Sequence, residues 1–462
     1  MTIWVVPGAP LATGKGWRIW YSWASPRPFR PAPVGVTRDG TPEPTSQADW
    51  VVLPDEDGLE RRIGVLTVEL ANPNPGVTYD IDIPEAGRPL PLRWRSMSAV
   101  LEDAPVTFLL ASCFWRNADK EGVYSAALRD LVKRERPLFK FLAGDQVYLD
   151  WPVSFAFWKS AMEITAGRYQ DYWGDAKYRE ALLTCPTLYM CDDHEFWNNY
   201  PERQIQLQRT WSSASRRAYG SAARTLYHHY QVAANGTLKP WYGFRIANVS
   251  FFVADTRSER DRRTYSGGNV PHFIQNRQWQ DLETWFANLN GPGVLVLGQP
   301  LFQKDGDSKD YSLSNFSEDY GRLCALIEKA IRGAFGGVHD ILLLSGDIHT
   351  GRYVQASVDG LPEDRKVREF IASPAARIRP GSSRPSEGPP ILRARHQGRQ
   401  MTWRVDQEML GERVKFATTT NNAAVIKIAR GTNGRVRFDL SLWPIVGGAG
   451  GRPLFTKTMQ LQ

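Results

Sequence analysis

The sequence predicts an α+β protein, with an all-β amino-terminal part followed by a larger part in which strands and helices alternate. Two observations carry this. Residues 1 to about 105 hold short β-rich runs separated by Pro, Gly and Asn clusters. From about residue 106 apolar runs of strand length alternate with helical patterns. A third observation points to chemistry: four of the later apolar runs end in residues able to bind metal or move protons.

The amino-terminal runs 16–23, 49–53, 64–70 and 78–83 are each short and rich in Trp, Val, Ile, Tyr and Thr. Such spacing with turn residues between is the pattern of a β-sandwich. The segment 1–105 shows no cluster of catalytic side chains, and is expected to be a domain separate from 106–462.

In the second part, 106–110 reads as a strand, and Tyr124, Leu128, Leu131 and Val132 mark one helical face. The next strand lies in 138–143. This βαβ unit should place Cys113 and Asp145 at the same edge of near neighbours. Helices are expected over 153–168 and 174–183, then a strand over 187–190. Residues 203–231 read as one long polar helix or two shorter ones. The His228–His229 pair there lacks a carboxylate or second His at metal spacing and is read as helix surface and partial packing. A hairpin is expected over 242–255, a helix near 319–332, a strand before Asp347, and further strands after His349. The stretch 374–412, rich in Pro, Gly, Ser and Arg, reads as a long loop, either solvated or a lid over an anionic substrate.

The four strand ends share one grammar. Ala111-Ser112-Cys113, Gly144-Asp145 with Tyr148, Cys191-Asp192-Asp193-His194-Glu195 and Gly346-Asp347-Ile348-His349 each follow an apolar run. One Gly-Asp alone would be an ordinary turn. Four such ends offering Cys, Asp, Tyr, His and Glu in one chain point to a centre for several metals. Carboxylates suit hard divalent ions such as calcium. A set mixing thiolate, phenolate and imidazole suits oxidised iron better.

Composition narrows the class. The chain has 462 residues, with 57 basic and 49 acidic side chains for a formal charge of +8, too small for its size to establish nucleic-acid binding. Four cysteines form no disulfide framework. Cys185, Cys191 and Cys324 read as packed thiols, whereas Cys113 opens a polar loop. No apolar run reaches transmembrane length, and no signal peptide is visible. The expectation is a cytoplasmic protein, or an exported one if a signal has been cleaved.

Taken in order, Ser112-Cys113, the 144–148 stretch GlyAspGlnValTyr, AspAspHisGlu with Asn198-Asn199, Asp255-Thr256-Arg257 and Gly346-Asp347-x-His349 resemble the alkaline phosphatase D (PhoD-like) branch of the calcineurin-like metallophosphoesterases. The wider superfamily opens with Asp-x-His and closes with Gly-His-x-His. Here Cys113 and Gly-Asp-x-His replace them, as that branch does. The resemblance implies a small β-sandwich before a four-layer αββα catalytic domain. It implies hydrolysis of phosphoric monoesters or diesters by a metal-bound hydroxide, with one ferric ion (Fe3+) and calcium (Ca2+). Nucleotide, nucleic acid or phospholipid diesters are the alternative substrates, and a binding module with a structural metal is the competing class.

Carried over residue by residue, Cys113, Asp145, Tyr148 and His349 would hold the iron. Asp145, Asp193 and Asp347 would hold the second ion, with Asp192 as the substitute for Asp193. His194 matches a histidine near the leaving group, as general acid or, failing that, as a partner of a carboxylate. Asn198 and Arg257 are candidates for phosphate contact, Arg257 alternatively pinning Asp255.

Overall fold

The computed structural model describes residues 2–462 except 26, 48, 75, 88–91, 97–104, 154–157, 263–269, 304–311, 378–384, 411–413 and 446–450. The class is mixed α/β. The boundary expected near residue 105 adjoins 97–104 and so falls at the margin of the described residues.

The amino-terminal part holds two antiparallel sheets. One orders Ile3–Pro10, Gly16–Trp23 and Arg62–Leu70, with Thr45–Ser46 and Trp50–Val52 paired along the last strand. The other orders Thr41–Pro42, Gly35–Arg38, Thr78–Asp82 and Leu92–Arg95. Side chains alternate across a strand, and here both faces of the first sheet are used. Trp17, Ile19 and Tyr21 join Val36, Tyr79 and Trp94 of the second sheet in one cluster. Trp20 points the other way, into a cluster with Trp4, Val6, Val65, Trp173 and Tyr230. The amino-terminal sheet therefore shares a core with the helices of the larger part.

That larger part contains a six-stranded sheet and a nine-stranded sheet. In the first, Val106–Ala111, Phe139–Ala143 and Thr187–Met190 run parallel. In the second, Val249–Val253, Gly293–Val296, Ile341–Ser345 and Lys366–Ile371 do so. Period-two burial explains the layering. Phe108, Phe141 and Leu188 face a cluster shared with Phe251, Val294 and Leu342 of the other sheet. Leu109, Leu142 and Tyr189 face the opposite side, where the helices Val123–Glu135 and Ala161–Gly174 bring Leu128, Leu131 and Tyr169. Across the nine-stranded sheet, Asn276–Ala287 and Ser317–Ile331 bury Trp279, Leu282, Leu323 and Ile327 against Leu295 and Leu343.

Two expectations change. The helix expected from 153 begins at Ala161, where Ser160 and Glu163 form a reciprocal capping box (Ser160 N–H to Glu163 carboxylate, 2.6 Å); residues 154–157 lie outside the described set. The 374–412 stretch is not one long loop. It holds the hairpin Ile391–His396 with Arg399–Gln407, whose Leu392, Ala394, Met401 and Trp403 are buried. Intervening arginines hid that alternation. Residues 378–384 of it, and with them part of the expected lid, lie outside the description.

Glycines set how closely these strand ends approach. Gly144 has φ +84°, and a Cβ there would lie 2.6 Å from the Asp192 Cβ. At Gly346 a Cβ would lie 2.5 Å from the Ser112 Cβ, holding the two sheets apart. Gly144→Ala is expected to lower unfolding free energy by at least about 2 kcal/mol, the combined cost of a strained φ and an overlap. Urea denaturation of wild type and variant measures this; equal midpoints would mean that the loop yields.

Candidate metal centre

In-register pairing aligns the strand ends. Ala111 lies opposite Leu142 and Ala143 opposite Met190, so Cys113, Asp145 and Asp192 each follow shortly after neighbouring ends. The Gly346 loop of the other sheet meets them: the Cys113 thiol lies 3.5 Å from the Asp347 carbonyl oxygen. Four of the candidate ligands adopt left-handed backbone, with φ of +56° at Cys113, +56° at Asp145, +65° at Asp347 and +50° at His349. Such strained positions persist only where the surroundings over-determine them, and they gather at functional sites.

The side chains converge as the strand grammar suggested. Ligand atoms of Cys113, Asp145 and His349 lie within 4.8 Å of one another. So do those of Asp145, Asp192, Asp193 and Asp347, and those of Asp145, Asp193 and His194. Asp145 belongs to every group. The Cys113 Sγ is 3.2 Å from Asp145 Oδ2, and the Tyr148 hydroxyl is 3.5 Å from His349 Nε2.

The electrostatics fit cations. Burial pushes the carboxyl of Asp145 and the thiol of Cys113 well above their usual ranges, and neighbouring acids push the thiol further. Burial likewise raises the Tyr148 phenol. Burial, with His194 and Arg377 nearby, lowers His349 to about 4, leaving a neutral imidazole suited to metal ligation. Asp193 Oδ1 is buried without a hydrogen-bond donor among the described residues, and so is Asn199 Oδ1. The Asp193 oxygen, grouped with Asp145 and Asp347 near a thiol and a phenol, is part of a donor set that bound cations would complete.

Asp192 and Asp193 diverge. Asp192 receives Arg257 Nε at 2.7 Å and Nη2 at 3.3 Å, and both side chains are fully buried. Arg257 therefore departs from the expected phosphate contact, because its guanidinium fork is spent on a carboxylate away from solvent. Nor does its side chain pin Asp255; its backbone N–H donates to that residue instead. Asp193, by contrast, accepts the Asn199 N–H at 2.6 Å through Oδ2, while Oδ1 has no hydrogen-bond donor among the described residues.

His194 Nδ1 lies 2.8 Å from Asp150 Oδ1, and its ring packs on Tyr148 with centroids 4.1 Å apart. Burial acts to lower the imidazole pKa, but the carboxylates of Asp150, Asp193 and Asp145 together raise it well above the usual value. Asn198 donates its backbone N–H to the other Asp150 oxygen at 2.9 Å.

Asp150 and Asn199 have no individual role in the sequence reading, and Glu195, offered there only as a possible ligand or acid-base group, acts through hydrogen bonds. Asp150 sits five residues after Asp145, close enough to have been a candidate partner for His194. Asn199 adjoins the candidate Asn198 and donates its backbone N–H to Asp193, and nothing in an Asn-Asn pair says which of the two makes that contact. Glu195 accepts backbone N–H groups from Asp145, Gln146 and Asp192 at 2.9, 2.6 and 2.9 Å. The His228–His229 pair stays away from the metal centre: His229 is buried, with Nδ1 2.8 Å from the Thr225 carbonyl and Nε2 3.2 Å from that of Pro54.

A cluster of oxygen, sulfur and nitrogen ligands at the carboxyl ends of strands from two sheets defines a candidate metal-dependent hydrolase. Residues 108–300 match the family model of the PhoD-like phosphatases. That match agrees with the resemblance of the chain's motifs, and the PhoD-like family implies metal-dependent phosphoester hydrolysis. Cys113 to Arg257 lie inside the match, and Asp347 and His349 beyond it. Among solved structures, the fold is similar to the structure of PhoD, with TM-score 0.62 and 16% identity over 99% of this chain and 88% of that one. GAP50, the anchor in the inner membrane complex of Plasmodium, aligns at TM-score 0.40 and 13% identity over 78% of this chain and 90% of that one, too distant to bear on function. A comparison with curated protein sequences gave no match. Among the described residues no helix is long and apolar enough to cross a membrane.

Arg257→Met is expected to leave the Asp192 carboxylate buried and unpaired, lowering stability by about 3–5 kcal/mol. Chemical denaturation of the purified variant checks this. A variant of wild-type stability with only a raised KM would restore the phosphate-contact role.

Proposed function

We propose that the protein hydrolyses phosphoric esters at a centre of two or more metal ions. The observation that carries this reading is the convergence of Cys113, Asp145, Asp193, Asp347 and His349 ligand atoms around one shared carboxylate. In the proposed arrangement Cys113, Asp145, Tyr148 and His349 hold Fe3+, while Asp145, Asp193 and Asp347 hold Ca2+ or another divalent ion. The Asn199 amide oxygen joins the second set. We read the two sheets with their outer helices as a four-layer αββα domain, 106–462, preceded by the β-sandwich 1–105. When bound, the cations neutralise phosphate charge and activate and orient a water.

The chain's own residues do the rest. Asp150 accepts a hydrogen bond from His194 Nδ1, which fixes the ring and aims Nε2 away from Asp150. The Asp150 carboxylate at Nδ1 favours the protonated imidazole, which in this reading donates from Nε2 to the departing ester oxygen. Gln299 donates from Nε2 to Asp347 Oδ2 at 3.0 Å, and Arg260 holds the Gln299 oxygen at 2.8 Å. That relay orients Asp347. Asn198 is the remaining candidate for contact with substrate, its backbone fixed on Asp150.

Metal analysis of the purified protein, joined to assays on nitrophenyl phosphate and bis-nitrophenyl phosphate, tests the reading. We expect bound metal, hydrolysis of at least one ester, and loss of activity on chelation. Comparison of the two esters separates monoesterase from diesterase. A metal-loaded protein inert toward both would favour a structural metal in a binding module. Iron held by Cys113 and Tyr148 should colour the protein, and Tyr148→Phe should shift or bleach the band; a colourless, iron-free and fully active protein would rule iron out.

His194→Ala is expected to lower kcat by roughly 10²–10⁴-fold with metal content unchanged. The loss should be smaller for acidic leaving groups such as nitrophenol than for alkyl esters. Equal losses on both would exclude the acid role, and loss of metal would make His194 a ligand or its support.

A further inference from the structure

The strands that end at the metal centre begin beside a cavity. It lies at the opposite edge of the six-stranded sheet, where the first amino-terminal hairpin, the end of the long helical segment and the edge strand Tyr242–Ile246 meet. Its volume is about 120 Å3. Leu11, Phe139, Leu188, Tyr242 and Phe244 form much of its wall, and Arg18 lines it as well. Phe139 opens the strand leading to Asp145, and Leu188 stands near the start of the one leading to Asp193.

Arg18 is unusual in this setting. It is half-buried, and its guanidinium makes one long hydrogen bond, Nη1 to the Asn235 carbonyl at 3.4 Å. No carboxylate among the described residues lies within ion-pair distance of it. Burial lowers its pKa, partly offset by the charge of Glu69. The side chain reaches its place only because residue 236 is glycine: with φ +69°, a Cβ there would lie 1.8 Å from Arg18 Nε. A guanidinium so weakly bonded retains donors for a planar anion.

We propose that this cavity binds a small apolar carboxylate, with the aromatic or short aliphatic body inside and the carboxylate on Arg18. Size and charge together select the class. A cavity of about 150 Å3 lined by Leu, Ile and Phe holds one benzene ring, so this one suits a body of similar or slightly smaller bulk. Long acyl chains are too large, and an inorganic anion would leave the apolar wall unfilled. Nothing in this site depends on the metals or on phosphoester hydrolysis.

Ligand-observed NMR on the full-length protein tests it, with benzoate and hexanoate against toluene as the neutral probe. Saturable binding of the acids is expected. Arg18→Met should weaken the acids roughly tenfold or more, the worth of one charge-assisted hydrogen bond, and leave toluene binding unchanged. Arg18→Lys, which keeps the charge but loses the fork, should fall between. Leu188→Trp should fill the cavity and abolish binding of acids and toluene alike. Failure of the acids to bind wild type at millimolar concentration would overturn the proposal. So would acid binding that is equal in wild type, Arg18→Met and Arg18→Lys, or that survives in a folded Leu188→Trp protein.

Discussion

The carboxylate of Glu195 ties the metal centre together. Its two oxygens accept the backbone N–H groups of Asp145, Gln146 and Asp192, and Gln231 adds a side-chain donor at 3.2 Å. Two loops leaving neighbouring strands are thus held to one buried point. Hydrogen bonds to a charged acceptor are worth about 1.5–3 kcal/mol each. They oppose a burial that pushes this carboxyl up to about 7. Asp145 and Asp193 can then present oxygens toward a common point while the N–H groups of Asp145, Gln146 and Asp192 are bonded behind them.

A second constraint acts on charge. Asp145, Asp192, Asp193 and Asp347 are crowded together with a thiol and a phenol, and desolvated acids at such range repel. The fold answers in two ways. Arg257 forms a fully buried ion pair with Asp192. In the proposed arrangement the rest face cations, and Asp193 and Asn199 each carry a buried oxygen with no hydrogen-bond donor among the described residues. Structural pairing and proposed metal binding are divided between two adjacent aspartates by which one faces Arg257.

The amino-terminal sheet is joined to this centre through the helical segment behind it. Trp20 Nε1 donates to the His229 carbonyl at 2.8 Å, and two residues on, Gln231 reaches Glu195. The segment between is wound as a π-helix over His228–Val232. Such local widening often occurs at functional sites. Here it sets His229 against the amino-terminal part and Gln231 against the metal loops.

Strand-end chemistry was legible from the sequence because it is local. An apolar run followed by Gly-Asp or Asp-Asp-His-Glu states both a buried strand and a polar exit, and parallel pairing brings such exits to one edge. Cys113, Asp145, Tyr148, Asp193, His194, Asp347 and His349 could therefore be named from residue type and order. Side-chain direction was not legible, because it depends on partners distant in the chain. Arg257 turns to Asp192 across 65 positions, His194 to Asp150 across 44, and Gln299 to Asp347 across 48. Asn199, with φ +61°, rather than Asn198 carries the buried oxygen without a donor among the described residues. The hairpin within 391–407 was hidden for the same reason: Leu392 and Ala394 are buried only because Ser317–Ile331 packs over that sheet. Local pattern named the chemistry, and tertiary packing decided which atoms face inward.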